Sequence, residues 1–180
     1  MGDGDVVNVV VIDNGSGLMK VGFAGDDVPR VVFPTAVRRP LHLAIMPDMG
    51  KKDMYIGGEA QSRRGILDLK RPIERGVITN WDDMETLWQH AFDELHVSPE
   101  ENTVLLSEPV LNPKSNCENM TQVMFERFRV PGVNISLTPG LAMFSSGRMT
   151  ALMLECGHSI THTVPIEDGF IFLEGIHWYD

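Results

Sequence analysis

The first strong pattern in the chain is an apolar, mostly β-branched run at residues 6–12, which predicts a strand buried on both faces. The run ends at a cluster of turn-forming residues, 13–17, and a strand-like pattern resumes over residues 18–24. Two strands joined by a glycine-rich tip are typical of a hairpin. After a break at residues 26–30, residues 31–33 predict a further short strand.

Helical periodicity begins at Trp81, after which apolar residues recur at spacings of three and four up to residue 95. Thr79 and Asn80, just before it, are expected to cap this helix. Residues 102–107 predict a strand. A second helix is expected after Pro113, because proline is favoured at the start of a helix. Its apolar face is predicted to contain Met120, Met124 and Phe128.

A third, short helix is predicted over residues 141–146. Thr138 has the form of its N-cap, and Pro139 that of its first helical position. Gly147 is expected to end it. A buried strand at residues 150–154 should follow.

The hairpin pattern occurs a second time along the chain. The strand at 150–154 leads to Glu155, a glycine-containing tip at 156–159 and a returning strand at 160–165, just as the first hairpin has Asp13 at the end of its strand. We interpret this as an internal duplication. Two such tips facing each other could hold a polyphosphate on backbone N–H groups, with a carboxylate from each strand holding a divalent metal. For the first tip alone, an ordinary tight turn is an equal alternative.

Composition and charge exclude several classes of protein. The apolar fraction of 43% and the charged fraction of 22% are ordinary for a soluble folded protein. The 25 acidic and 15 basic residues give a formal charge of -10, which opposes nucleic-acid binding. Two cysteines, Cys117 and Cys156, are too few for a disulfide framework, so we expect a reducing compartment. Asp3 and Asp5 and the short apolar runs argue against a signal peptide or membrane partner, which favours the cytoplasm.

Several segments of the chain resemble actin, and they occur in the same order as in actin. They are Asp13-Asn14-Gly15-Ser16-Gly17, Gly22-Phe23-Ala24-Gly25-Asp26-Asp27, Gly65-Ile66-Leu67, Pro72-Ile73-Glu74, Thr79-Asn80-Trp81-Asp82-Asp83-Met84-Glu85, Leu111-Asn112-Pro113-Lys114, Met120-Thr121-Gln122 and Thr161-His162-Thr163-Val164-Pro165. The resemblance runs from residue 5 to residue 170 and covers the N-terminal half of an actin. It implies an α/β protein with the actin-like ATPase (ribonuclease H-like) fold, N-terminal half, with a small inserted subdomain.

The resemblance also implies a division of the chain. Residues 1–34 and 72–146 would form the core of the small domain, 35–71 an inserted subdomain and 147–180 the truncated start of a second domain. The inserted segment is irregular over residues 38–58, as in a small mobile insertion. The resemblance implies that residues 42–50 correspond to the loop with which one actin subunit grips the next. This loop differs from actin at Leu43, Pro47 and Asp48, and Pro47 and Asp48 are expected to hinder docking into an ordinary actin neighbour. Residues 170–179 would form an adhesive edge if left unpaired.

The predicted nucleotide site takes its residues from both hairpins. The resemblance implies that the phosphates of ATP contact two sets of residues. On the first hairpin these are Gly15, Ser16, Gly17, Leu18 and Lys20. On the second hairpin they are Gly157, His158 and Ser159. The carboxylates expected to hold magnesium, through water, are Asp13 and Glu155. For Lys20 the alternative is a solvated strand lysine.

The second hairpin departs from actin in ways that weaken the site. Glu155 and His158 both stand where actin has aspartate, so one carboxylate is expected to intrude on metal-bound water and the other is lost. Ser159 replaces a glycine and adds a Cβ where backbone must approach phosphate. Thr138 replaces the glutamine that orients the attacking water in actin, and its hydroxyl is too short for that role. His162, the other water-positioning residue, is kept, with a packed strand histidine as the alternative.

These departures lead to the functional prediction. We expect an actin-related cytoskeletal protein of the cytoplasm that acts as a structural or regulatory component, with weak or no ATP hydrolysis. ATP with magnesium would bind weakly, also because the opposite wall of actin's cleft comes from its C-terminal half. Arg75, where actin has a histidine near the γ-phosphate, is a further change or a solvated arginine. Expected partners are actin or actin-binding proteins. The alternative is an ATP-binding, ATP-hydrolysing actin filament subunit.

Overall fold

The computed structural model describes residues 8–40, 55–62 and 67–179. Within these ranges the strands are β1 (Val9–Asn14), β2 (Leu18–Phe23), β3 (Val31–Pro34), β4 (Val37–Pro40), β5 (Tyr55–Ile56), β6 (Leu67–Lys70), β7 (Ile73–Glu74), β8 (Val77–Ile78), β9 (Thr103–Glu108), β10 (Val133–Leu137), β11 (Ala151–Cys156), β12 (Thr161–Glu167), β13 (Phe170–Ile171) and β14 (His177–Tyr179). The α-helices are α1 (Gly57–Ser62), α2 (Trp81–Leu95), α3 (Lys114–Glu126) and α4 (Thr138–Ser145). None of the helices in this part of the chain combines the length and apolar character needed to span a bilayer.

The first hairpin lies in the middle of a five-stranded sheet of order β10-β9-β1-β2-β3. β1 runs antiparallel to β2, as predicted, and parallel to β9, which is itself parallel to β10. Val10 and Ile12 on one face of β1 are fully buried, whereas the alternate residues Val9 and Val11 are half-buried. The predicted complete burial of this strand is therefore correct for one face only, and residues 6–7 lie outside the described part.

Two helices complete the core of this sheet. α2 begins at Trp81 after Asn80, whose side-chain oxygen accepts a hydrogen bond of 3.1 Å from the backbone N–H of Asp83. This is the cap predicted from the sequence. The core contains the apolar faces of α2 and α3 together with the inner face of the sheet. Its largest fully buried side chains include Trp88, Phe92, Met84, Leu87, Met124, Ile12 and Met19.

Two details of the predicted helices are wrong. α3 ends at Glu126, so Phe128 lies beyond the helix, although it is buried in the same core. α4 begins at Thr138 and has Leu137, not Thr138, in the N-cap position. The reason is that the Thr138 hydroxyl donates to a side chain on β11 and is therefore not directed at the helix N-terminus.

The second hairpin, β11 and β12, is antiparallel as predicted and belongs to a separate four-stranded sheet. Its inner face packs with α4 around Val110, Met143, Val164 and Ile166. Residues 170–171 and 177–179, which were expected to form an adhesive edge only if left unpaired, are paired, because β13 and β14 both run antiparallel to β12.

The segment predicted as an inserted subdomain contributes a three-stranded sheet of order β5-β4-β6. Residues 38–40 and 55–56, where the sequence pattern is irregular, are therefore strands. The predicted subunit-gripping loop at residues 42–50 lies outside the described residues. The division of the chain into domains stays a prediction.

Candidate functional site

A cleft of about 780 Å³ lies between the tips of the two hairpins. Every residue of the predicted site lines it: Asp13, Gly15, Ser16, Gly17, Leu18, Lys20, Thr138, Glu155, Gly157, His158, Ser159 and His162. The tips are in contact, because a Cβ built on Gly17 would lie 2.7 Å from the Cβ of His158. Only glycine fits the first tip at this point. The structure thus brings the predicted residues together, and their roles stay predictions.

Asp13, at the end of β1, is held by two donors. Lys20 Nζ lies 2.9 Å from Oδ2, and the hydroxyl of Ser107 donates to Oδ1 at 2.8 Å. Ser107 reaches Asp13 because β1 and β9 are parallel neighbours whose carboxyl ends lie at the same edge of the sheet. Lys20 comes from β2, directly opposite Asp13 in the hairpin register. Both oxygens of this carboxylate therefore already accept hydrogen bonds.

Asn14, the next residue, fixes the start of the tip to the core. Its backbone N–H donates to Ser107 Oγ at 2.9 Å, and its side-chain N–H donates to the Ser107 carbonyl at 3.0 Å. Its side-chain oxygen accepts from the indole N–H of Trp88 at 3.0 Å. All three residues are buried, so each of these bonds satisfies a polar group that water cannot reach.

The rest of the first tip is held from two other segments. The carbonyl of Gly15 accepts from the Thr35 hydroxyl at 2.7 Å, and the carbonyl of Gly17 accepts from the Thr35 N–H at 3.0 Å. The Ser16 hydroxyl oxygen accepts from the backbone N–H of Gly76 at 3.2 Å. Since a hydroxyl both accepts and donates, Ser16 retains its own proton for an anion in the cleft.

The second tip carries an imidazole at the mouth of the cleft. The turn is closed by the Gly157 N–H, which donates to the Ile160 carbonyl at 2.8 Å. The exposed side chain of His158 then lies against Gly17 on one side and contacts the guanidinium of Arg71 through Nε2 on the other. Two nitrogen-bearing side chains from distant parts of the chain thus meet beside the glycine-rich tip.

Glu155, at the end of β11, binds Thr138 and His162, the two residues that the resemblance aligns with actin's water-positioning pair. Its Oε2 accepts from the Thr138 hydroxyl at 3.0 Å and lies 2.7 Å from Nε2 of His162. His162 is buried in β12 and its ring packs 5.0 Å from that of Trp178. One oxygen of the Glu155 carboxylate faces these two donors, and the expected intrusion of the longer side chain on metal-bound water stays a prediction.

The donor set does not fit a magnesium ion held by protein carboxylates. Magnesium requires near-octahedral oxygen ligands, usually one or two carboxylates plus water and phosphate. Asp13 is already paired with an ammonium group, and Glu155 shares one oxygen between two donors. Glu108, the third carboxylate of the cleft, accepts from the Asn112 amide at 2.9 Å. Among the described residues no group of three His, Cys, Asp or Glu side chains could hold a metal ion.

Sequence reasoning missed Ser107, Trp88, Thr35 and Arg71. Ser107 had a usable signal, since it ends a strand that a parallel sheet would place beside the end of β1. The other three come from segments far away in the chain, and no local pattern marks them as parts of the site.

Comparison with known proteins places the chain in one family. The family model described as Actin matches residues 4–180 of the chain. Centractin from Schizosaccharomyces pombe is 48% identical over 163 residues, which cover 89% of this chain and 43% of centractin. The chain therefore spans less than half the length of this curated relative.

Proposed function

The chain belongs to the actin family and is an actin-related cytoskeletal protein, and from that premise we propose that it is a structural or regulatory component with weak or no ATP hydrolysis. Its fold is the N-terminal portion of the actin-like ATPase fold, as the sequence predicts. The proposal of weak or absent hydrolysis depends on the hydrogen bonds around Glu155.

The observation that carries this proposal is the pair of hydrogen bonds received by Glu155. Hydrolysis of a phosphoanhydride needs a group that holds the attacking water in line with the phosphorus atom. Thr138 gives its one hydroxyl proton to Glu155, and His162 directs Nε2 at the same oxygen. Thr138 therefore has no proton left to donate to a water, and Nε2 of His162 points at Glu155, so neither group is directed at an attacking water.

We also propose that ATP binds weakly at the tips. The supporting features on the first tip are the available Ser16 proton, the backbone freed from side chains at Gly15 and Gly17, and the ammonium of Lys20. Leu18 lines the same wall, and the second tip adds Gly157, His158 and Ser159. Because Lys20 is already paired with Asp13, Lys20 offers less positive charge to a phosphate, which supports weak binding.

An ATP-hydrolysing filament subunit is the second candidate. The first hairpin favours it, because Asp13 and Lys20 lie at the cleft and are held firmly by Ser107 and the hairpin register. The two candidates differ in turnover, so the rate of phosphate release decides between them.

The proposed partners are actin or actin-binding proteins, and the proposed location is the cytoplasmic cytoskeleton. Family membership supports cytoskeletal partners in general. The formal charge of -10 supports the exclusion of nucleic acid, because like charges repel at the phosphate backbone.

The decisive experiment is single-turnover phosphate release from Mg-ATP, with conventional actin measured alongside. We expect release at least about 100-fold slower than from actin, since misplaced water commonly costs this much. Thr138→Gln, which adds an amide, and Thr138→Val, which only removes the hydroxyl, form a matched pair. Release by the unmodified chain at the rate of actin would contradict the proposal.

Co-sedimentation with actin filaments tests the partner separately. A structural or regulatory component of the proposed kind should pellet with filaments in a saturable manner. Failure to pellet with filaments, together with no effect on their assembly, would remove actin itself from the proposed partners.

A further inference from the structure

The cleft contains nitrogen-bearing side chains in two places, on β2 and at the mouth. Lys20 is engaged by Asp13, whereas Arg71 and His158 meet at the mouth, directly beside Gly17 of the first tip. Both of these side chains are exposed and line the cleft. A phosphate chain on the glycine-rich tip would therefore lie next to a guanidinium and an imidazole.

Each carboxylate of the cleft already accepts at least one hydrogen bond from the protein. Asp13 accepts from Lys20 and Ser107, and Glu155 accepts from two donors on α4 and β12. Glu108 accepts from an amide. A divalent cation that bridged protein and phosphate would have to compete with these donors, and it would also approach an ammonium group of like charge.

We propose that the cleft binds a polyphosphate chain, such as that of a nucleoside triphosphate, without a divalent cation, and that Arg71 and His158 take the cation's place. This rests on the proposed binding of ATP at the first tip. The guanidinium supplies donors in a planar fork that matches two phosphate oxygens. The imidazole supplies a further donor, and the Ser16 hydroxyl donates from the opposite wall.

Isothermal titration with ATP and with inorganic tripolyphosphate, each in excess magnesium and in EDTA, tests the proposal. We expect the dissociation constant of each ligand to change by less than about threefold between the two conditions, because the protein supplies the positive charge. Comparable affinities for the two ligands would show that the phosphate chain carries recognition. Tighter binding of ATP would show that the nucleoside adds to it, and both results support the proposal.

Arg71→Gln should weaken binding about tenfold in EDTA, the amount expected for loss of a charge-assisted hydrogen bond. Arg127→Gln is the matched control, since Arg127 is an exposed arginine that does not line the cleft. It lies instead in a groove between α2 and α3. His158→Asn provides a second variant at an exposed position. Circular dichroism of each variant establishes that it is folded.

Either of two titration results would overturn the proposal. One is strengthening of ATP binding by magnesium of more than about threefold, and the other is no binding of either ligand in EDTA. Equal binding by Arg71→Gln, His158→Asn and the unmodified chain would equally remove the assigned role of these side chains. Slow phosphate release combined with magnesium-dependent binding would overturn this inference and leave the proposed function intact. Fast release combined with magnesium-independent binding would overturn the proposed function and leave this inference intact.

Discussion

The two hairpins share one sequence pattern but differ in what surrounds them. The first lies inside a five-stranded sheet, where Val10 and Ile12 are fully buried beneath two helices. The second has one packed face, while Leu152 and Leu154 on its other face are 70% and 63% exposed. The comparison teaches that a strand, an acidic residue and a glycine-containing tip specify the hairpin, whereas neighbouring elements decide how firmly it is held.

The acidic residue at the end of each hairpin's first strand shows the same difference in its chemistry. Asp13 is fixed by an ammonium and a hydroxyl, and the adjacent Asn14 is anchored to the indole of Trp88 in the core. Glu155 is fixed by a hydroxyl and an imidazole instead. The first arrangement places an ammonium group beside the glycine-rich tip, and the second joins the end of β11 to α4 and β12.

The largest expected effect concerns burial in the two hairpins. Ile12→Ala in β1 should reduce the free energy of unfolding by about 2–5 kcal/mol, because it removes a buried side chain from a packed core. Leu154→Ala in β11 should change it by no more than about 0.5 kcal/mol, because most of that side chain is exposed. Urea denaturation followed by tryptophan fluorescence measures both. Similar losses would mean that the exposed face of the second hairpin is covered in solution.

A smaller effect is expected when the acceptor in the second hairpin is removed. Glu155→Leu leaves the buried Nε2 of His162 and the Thr138 hydroxyl without their shared partner, which should cost about 1–3 kcal/mol of unfolding free energy. Glu155→Gln is the matched control, since its amide oxygen can still accept. It should cost clearly less in the same denaturation experiment. Equal costs for the two variants would show that these hydrogen bonds do not stabilise the fold.

The features predicted well from the sequence depend on local signals. The β1–β2 hairpin was recognisable because its strands and its tip are contiguous. The helix at Trp81 follows from apolar periodicity. Its cap follows from Asn80, a residue type favoured at N-caps, which lies three positions before the Asp83 N–H that it binds. The repeated hairpin could be found for the same reason.

The features that were missed depend on contacts between distant residues. Thr138 has the local form of an N-cap, yet its hydroxyl finds Glu155 on another element, and this contact overrides the local preference. The Trp88 indole and the Arg71 guanidinium reach partners 74 and 87 residues away in the chain. No spacing in the sequence reports such pairs, because only the assembled sheets and helices bring them together.

The last prediction compares a cysteine of the second hairpin with one that packs against the core of the first sheet, and it concerns reactivity, not stability. Cys156 ends β11 and is exposed, whereas Cys117 on α3 is partly buried against the core of the first sheet. Burial raises the pKa of the Cys117 thiol, and the nearby carboxylates of Glu108 and Glu118 raise it further. Because the thiolate is the reactive form, Cys117 should react appreciably only at a more alkaline pH than an ordinary thiol.

Alkylation by iodoacetamide at pH 7, followed by peptide mass spectrometry, should therefore label Cys156 faster than Cys117, because Cys156 is exposed and the raised pKa of Cys117 lowers its thiolate fraction. In urea the two rates should become similar, because unfolding removes the burial of Cys117, the largest cause of its raised pKa, and separates it from Glu108. If Cys156 were the slower residue in the native protein, the second hairpin would have to be covered where this structure leaves it exposed. The difference in support between the two hairpins would then disappear at the tip that carries His158.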